Sequence, residues 1–221
     1  MAIKAKDVAK YIVQIYFQRD GVLMSPIFGT MIQSKNRVFM CTVGHAIDQR
    51  DEGLSVWTGV HPEVAKSCPG RVTSNAELLI EIRQDRYSNM IIDDFHDIMA
   101  IPIANYEGPA LDFEKDMLQD NISVLDPALI SFLDYEPDDN GILRKVNDGI
   151  AGLISVETEN HCVISIQGAP GLSGAPAFLA HPEGLLWFGI YTGTSPRTPL
   201  TNDAVINNAR IIKANRFLSN L

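Results

Sequence analysis

Residues 168–178 read GAPGLSGAPAF, with glycine or proline at 168, 170, 171, 174 and 176, one serine at the centre, and an apolar run at the exit. Such a stretch is a plain turn, a phosphate-binding loop, or a loop that presents a nucleophile. The runs on either side, HCVISIQ (161–167) and APAFLA (175–180), have the β-branched and apolar content of strands, so the bend sits between two strands. A P-loop places a lysine and a hydroxyl after its glycines to meet phosphate and magnesium, and no lysine occurs between 146 and 212. The sharp strand-to-helix elbow GxSxG is also excluded, because its second glycine would fall at Ala175, and Pro176 follows.

The same punctuation recurs through the chain. YIVQIYF (11–17), VLMSPIFGTMIQ (22–33), RVFMCTV (37–43), LSVWTGV (54–60), ELLIEIR (77–83) and DIMAIPI (97–103) are short apolar or alternating runs, separated by turn-rich pieces such as QRDG, SKN, RDEG and SCPG. A polar, acidic stretch containing EGPALDFEKDMLQD follows and reads as a linker over 107–120. A second series then begins: ISVLDPALISFL (122–133), ILRKVNDGIAGLISVET (142–158), HCVISIQ, APAFLA, LLWFGIYTG (185–193) and AVINNARII (204–212). Phe217, Leu218 and Leu221 share a helical face at the end. The pattern predicts an all-β fold of two units, 1–106 and 121–221, each an antiparallel barrel of about six strands, with a short closing helix.

The 221 residues are 46% hydrophobic and 20% charged, with no low-complexity tract, which fits one globular unit. A net charge of −9 would repel a phosphate backbone, so no nucleic-acid partner is expected. YIVQIYF is short and broken by Gln14, so neither a signal peptide nor a membrane span is predicted. Cys41, Cys68 and Cys162 are odd in number and lack a CxxC pair; they read as reduced thiols of a cytoplasmic protein.

A serine nucleophile needs a base, and the base needs an orienting carboxylate. His45, in FMCTVGHAID, follows an apolar strand and would project from its end. His61 and His181 precede prolines in polar loops and are expected to be solvated, while His161 opens a strand and His96 adjoins Asp97. Asp97 heads a buried-looking strand, where its charge requires a dedicated partner such as a histidine N–H. A metal hydrolase using His45, His96, Asp97, His161 or Cys162 is disfavoured by the absence of HExxH or any close ligand pair, and no metal or cofactor is expected.

TVGHAI resembles the T-A-A-H-C block of chymotrypsin-like (trypsin-like) serine proteases, HDIMAIPI their D-I-A-L-L strand, and GLSGAP their G-D-S-G-G-P loop. The order His45, Asp97, Ser173 is the order of that family, in a compact, bacterial-looking form similar to the high-temperature-requirement proteases. The resemblance implies two six-stranded antiparallel barrels, Ser173 as nucleophile, His45 as base, Asp97 as its orienter, and an oxyanion hole from the N–H groups of Gly171 and Ser173. It implies substrate contacts at Gln167, the specificity position, and along IYTG at Thr192 and Gly193, with Thr192 near the place of the family serine that supports the aspartate. Leu172 stands where zymogen-type members carry an aspartate, so activation through a new N-terminus is not expected, and Ala175 replaces a glycine. The implied activity is endopeptidase action on protein or peptide substrates without a cofactor; a free-standing protease of this kind has to be restrained, by a regulatory protein partner, by an immature oxyanion loop or by narrow specificity. The alternative is an inactive relative that keeps the groove as a peptide-binding module.

Overall fold

A computed structural model describes residues 4–46, 51–66, 77–83, 91–93, 97–117, 122–137, 143–169, 171–182, 184–194 and 208–215. A 3₁₀ helix, Ala5–Tyr11, leads into β1 (Ile12–Arg19), β2 (Val22–Leu23), β3 (Ile27–Ser34), β4 (Arg37–Val43), β5 (Asp51–Trp57), a one-turn helix α1 (Pro62–Lys66), β6 (Leu78–Arg83), β7 (Ile91–Asp93), β8 (Ile98–Ile103) and β9 (Leu111–Asp112). These strands form one curled sheet in the order β6-β5-β1-β3-β4-β8-β7, with β2 added to β1 and β9 to β3. The second unit comprises β10 (Pro127–Pro137), β11 (Leu143–Glu157), β12 (His161–Gln167), β13 (Pro176–His181), β14 (Gly184–Thr194) and β15 (Asn208–Lys213). It is a closed six-stranded barrel, β10-β11-β12-β15-β14-β13. The two-unit all-β expectation therefore holds, with the first unit a curled nine-stranded sheet among the described residues. Ala214 and Asn215 begin a helical turn, and the rest of the expected closing helix lies outside the described residues.

Two hairpins turn through a pair of residues at positive φ, a conformation that glycine, aspartate and asparagine adopt more readily than lysine. Asp20 and Gly21 (φ 51° and 73°) join β1 to β2, and Lys35 and Asn36 (φ 47° and 65°) join β3 to β4, both as two-residue turns whose twist matches paired strands. Along β8 the side chains alternate between two cores. Met99, Ile101 and Ile103 face the interior of the first sheet with Met31, Met40 and Val56, while Ile98 and Ala100 join the apolar layer that continues into the barrel. Burial on both faces explains why DIMAIPI and RVFMCTV read as continuous apolar runs rather than alternating ones.

The described part of the acidic stretch, 107–117, is docked at β9 and at Met117. β9 pairs in parallel with β3, an Asp112–Asp116 turn is tied by Asp112 N–H to the Asp116 carboxylate at 2.9 Å, and Met117 bridges to Trp187 of β14. Trp187 is wholly buried, its indole N–H donating to the Gly189 carbonyl at 2.7 Å. Residues 118–121 lie outside the described residues. Among the described residues no helix is long and apolar enough to cross a membrane.

Gly189 of β14 lies hard against β15. A Cβ there would stand 2.1 Å from the Ile212 carbonyl oxygen, which is backbone and cannot move aside without parting the strands. Gly189→Ala is expected to lower the thermal midpoint by roughly 5–10 °C, as followed by circular dichroism.

Candidate active site

The register of β4 against β8 places Val43 opposite Ile98, so the residues just beyond that pair meet at the sheet end. Gly44 N–H donates to the Asp97 carbonyl at 3.1 Å, and a 3₁₀ turn over Gly44–Ala46 then swings His45 back over Asp97. One carboxylate oxygen of Asp97 accepts from the His45 backbone N–H at 2.7 Å, and the other lies 2.7 Å from His45 Nδ1. Asp97 holds φ at 57°, a left-handed conformation that aspartate visits more readily than most residues.

A carboxylate only accepts, so the proton of neutral His45 resides on Nδ1 and Nε2 carries the free lone pair. The Asp97 hydrogen bond raises the His45 pKa above its ordinary value of 6.5, burial opposes this, and the negative charge of Asp97 adds to the rise. A group whose folded-state pKa is raised contributes its stability below the unfolded value, and that contribution fades as pH rises through the folded value. The His45 side chain is 49% exposed, so this pair orients the ring far more than it stabilises the fold.

The bend at Ser173 is a β-turn over Leu172–Ala175, closed by Ala175 N–H donating to the Leu172 carbonyl at 2.9 Å. Gly174, at its third position, has φ 83°, the conformation a type II turn requires. Space demands glycine there as well, because a Cβ would fall 1.8 Å from the Phe28 carbonyl oxygen and 2.5 Å from Thr42 Oγ1. Both limbs of the turn are fastened. Phe28 N–H of β3 donates to the Ser173 carbonyl, and Gly174 N–H to the Tyr191 carbonyl of β14, each at 2.8 Å. Thr42, fully buried three residues before His45, donates to the Phe28 carbonyl at 2.7 Å, so the strand carrying His45 and the loop carrying Ser173 hold the same residue of β3, one by its carbonyl and the other by its N–H.

Leu172 and Ala175 have clear structural roles. Both are buried in the shared apolar cluster, and Ala175 also accepts from Tyr191 N–H at 2.8 Å. An apolar side chain at 172 thus anchors the loop from below without an ion pair. Gly171 is exposed with φ 86°. Neither its N–H nor that of Ser173 is hydrogen-bonded to another described residue. No hydrogen bond joins Ser173 Oγ to His45.

Gln167 ends β12, exposed and opposite Asn208. Thr192 and Gly193 lie half-buried on β14, where a bulge between Tyr191 and Gly193 accompanies φ 128° at the glycine. The Thr192 hydroxyl lies 3.5 Å from the Arg210 carbonyl, and among the described residues Asp97 takes side-chain hydrogen bonds from His45 alone. His61, expected in solvent, instead packs its ring against Tyr16 and Trp57 at centroid distances of 5.2 and 5.0 Å. His161 contacts the Thr158 hydroxyl, His181 is exposed, and His96 lies outside the described residues. Cys41 and Cys162 are buried free thiols, and burial pushes Cys162 up to about 12. Among the described residues no three His, Cys, Asp or Glu side chains gather as metal ligands would. Thr42 and Tyr191 were not singled out as loop-holding residues by sequence; both flank recognised blocks, but their cross-chain hydrogen bonds leave no local signature.

No protein-family model matches the chain, and no curated protein matches it in sequence. Among solved structures it is similar to the MamO protease domain of Magnetospirillum magneticum, with a TM-score of 0.60 at 12% identity over 97% of both chains. It is also similar to a serine endoprotease from Yersinia pestis, with a TM-score of 0.57 at 18% identity, covering 96% of this chain and 61% of that one. At these identities the likeness is one of fold, and the fold is that of the trypsin-like serine proteases.

The His45–Asp97 bond can be measured independently of any reaction. By NMR the His45 imidazole is expected to titrate above 6.5 in the wild type and to fall back towards 6.5 in Asp97→Asn.

Proposed function

We propose that this chain is a serine endopeptidase that cleaves protein or peptide substrates through a His45–Asp97–Ser173 triad and an acyl-enzyme. The observation that carries the reading is the two-point grip of Asp97 on His45, which fixes the ring with Nε2 unprotonated, at the sheet end tied through Thr42 and Phe28 to the Ser173 turn. In this mechanism His45 Nε2 takes the Ser173 proton as Oγ attacks the carbonyl carbon. The oxyanion forms against the N–H groups of Gly171 and Ser173. His45 then protonates the leaving amine, and a water activated by the same nitrogen hydrolyses the ester. Thr192 and Gly193 would lie along the substrate backbone, and Gln167 beside its side chain. A regulatory protein partner remains part of the proposal.

The second reading, an inactive peptide-binding module on the same groove, is favoured by one observation: Ser173 and His45 share no hydrogen bond in the free protein. Such bonds commonly tighten only when substrate is bound.

A fluorophosphonate probe separates the two. The endopeptidase reading expects labelling of wild type at Ser173, abolished in a folded Ser173→Ala variant, whereas a folded wild type that resists the probe supports the binding module. The labelling rate should rise with pH to a plateau through the His45 pKa, above 6.5, since only the neutral imidazole is a base. Asp97→Asn should lower peptide hydrolysis by about 10⁴-fold in kcat through loss of the correct tautomer.

A further inference from the structure

The position of Tyr191 bears on which substrates fit, given the serine-endopeptidase reading. Its backbone is paired with the limb that leaves Ser173: Gly174 N–H donates to its carbonyl, and its own N–H donates to the Ala175 carbonyl, both at 2.8 Å. Its side chain crosses to the other limb, where the hydroxyl stands 3.4 Å from the Ala169 carbonyl oxygen. That separation is long for a hydrogen bond but leaves no room for an intervening atom. Tyr191 is 1% exposed and belongs to the same apolar cluster as Leu172, Ala175 and Ile190. The phenol therefore spans from the limb that leaves Ser173 to the limb that enters the loop.

In acyl transfer the substrate carbonyl carbon lies against Ser173 Oγ with its oxygen towards the Gly171 and Ser173 N–H groups. The side chain of the residue that supplies this carbonyl is one bond further along, and it has to lie against the loop or β14. The Tyr191 side chain already crosses between those two walls. Among the described residues that flank it, 166–169 and 190–193, none is acidic.

We propose that Tyr191 closes the specificity recess, so that the substrate residue on the acyl side of the scissile bond carries a small side chain such as glycine, alanine or serine. The test is a peptide series differing only at that residue, run alongside fluorophosphonate labelling of the same preparation. Wild type is expected to cleave after alanine with kcat/KM at least ~10-fold above that after phenylalanine, leucine or lysine. Tyr191→Val, a strand-compatible truncation, should raise cleavage after leucine or phenylalanine relative to alanine by ~10-fold or more. Tyr191→Phe, which keeps the ring, should retain the small-residue preference. Labelled wild type that cleaves after large residues as well as after alanine overturns this inference alone. Folded wild type that neither labels nor cleaves overturns the endopeptidase reading, and this inference with it. If Tyr191→Val does not fold, the wild-type and Tyr191→Phe profiles decide the matter.

Discussion

Peptide units of β3 at Phe28 hold the two halves of the candidate site together. The Phe28 N–H reaches forward to the carbonyl of Ser173, and its carbonyl receives the hydroxyl of Thr42, three residues before His45. The contact is tight enough that position 174 has no room for a methyl group, since a Cβ would overlap the Phe28 oxygen at 1.8 Å. Hydrogen bonds buried in this way are costly to leave unmade, so the distance between the His45 strand and the Ser173 turn is set by backbone geometry rather than by side-chain chance.

From that anchor the remaining geometry follows by register. β4 and β8 are neighbours in the first sheet, so the last residue of one and the first of the other bring His45 and Asp97 together without a long loop. β13 and β14 are neighbours in the barrel, so the limb leaving Ser173 is paired with Tyr191 before β13 begins. The apolar cluster shared by both units covers Ile98, Val43, Leu172 and Ala175, so the same burial that joins the units also seats the site. Charge enters at the exposed end, where Asp97 meets a half-exposed imidazole.

Much of this was legible in the sequence because the site residues sit at strand ends, where a run of apolar residues stops abruptly at a polar one. TVGHAI, HDIMAIPI and GLSGAP each show that junction, and the turn-rich pieces QRDG and SKN hold the two hairpin turns at 20–21 and 35–36. Less legible were features that depend on partners far along the chain. β9 is two residues inside an acidic stretch, and only pairing with β3 makes it a strand. His61 reads as a loop histidine until Tyr16 and Trp57 fold against it. Leu172 and Ala175 looked like departures from a motif, yet their burial shows an apolar way of seating the same turn. Thr192 reads as a support for Asp97, while its hydroxyl faces the Arg210 carbonyl.

The central claim is that His45 and Ser173, carried by different units, act as one catalytic device. A double-mutant cycle on peptide hydrolysis tests it most directly, using His45→Ala, Ser173→Ala and the double variant. If the residues work as a unit, the double variant should be no slower than the slower single variant, because either loss already disables the device. Losses that multiply, or a His45→Ala variant with wild-type activity, would contradict it.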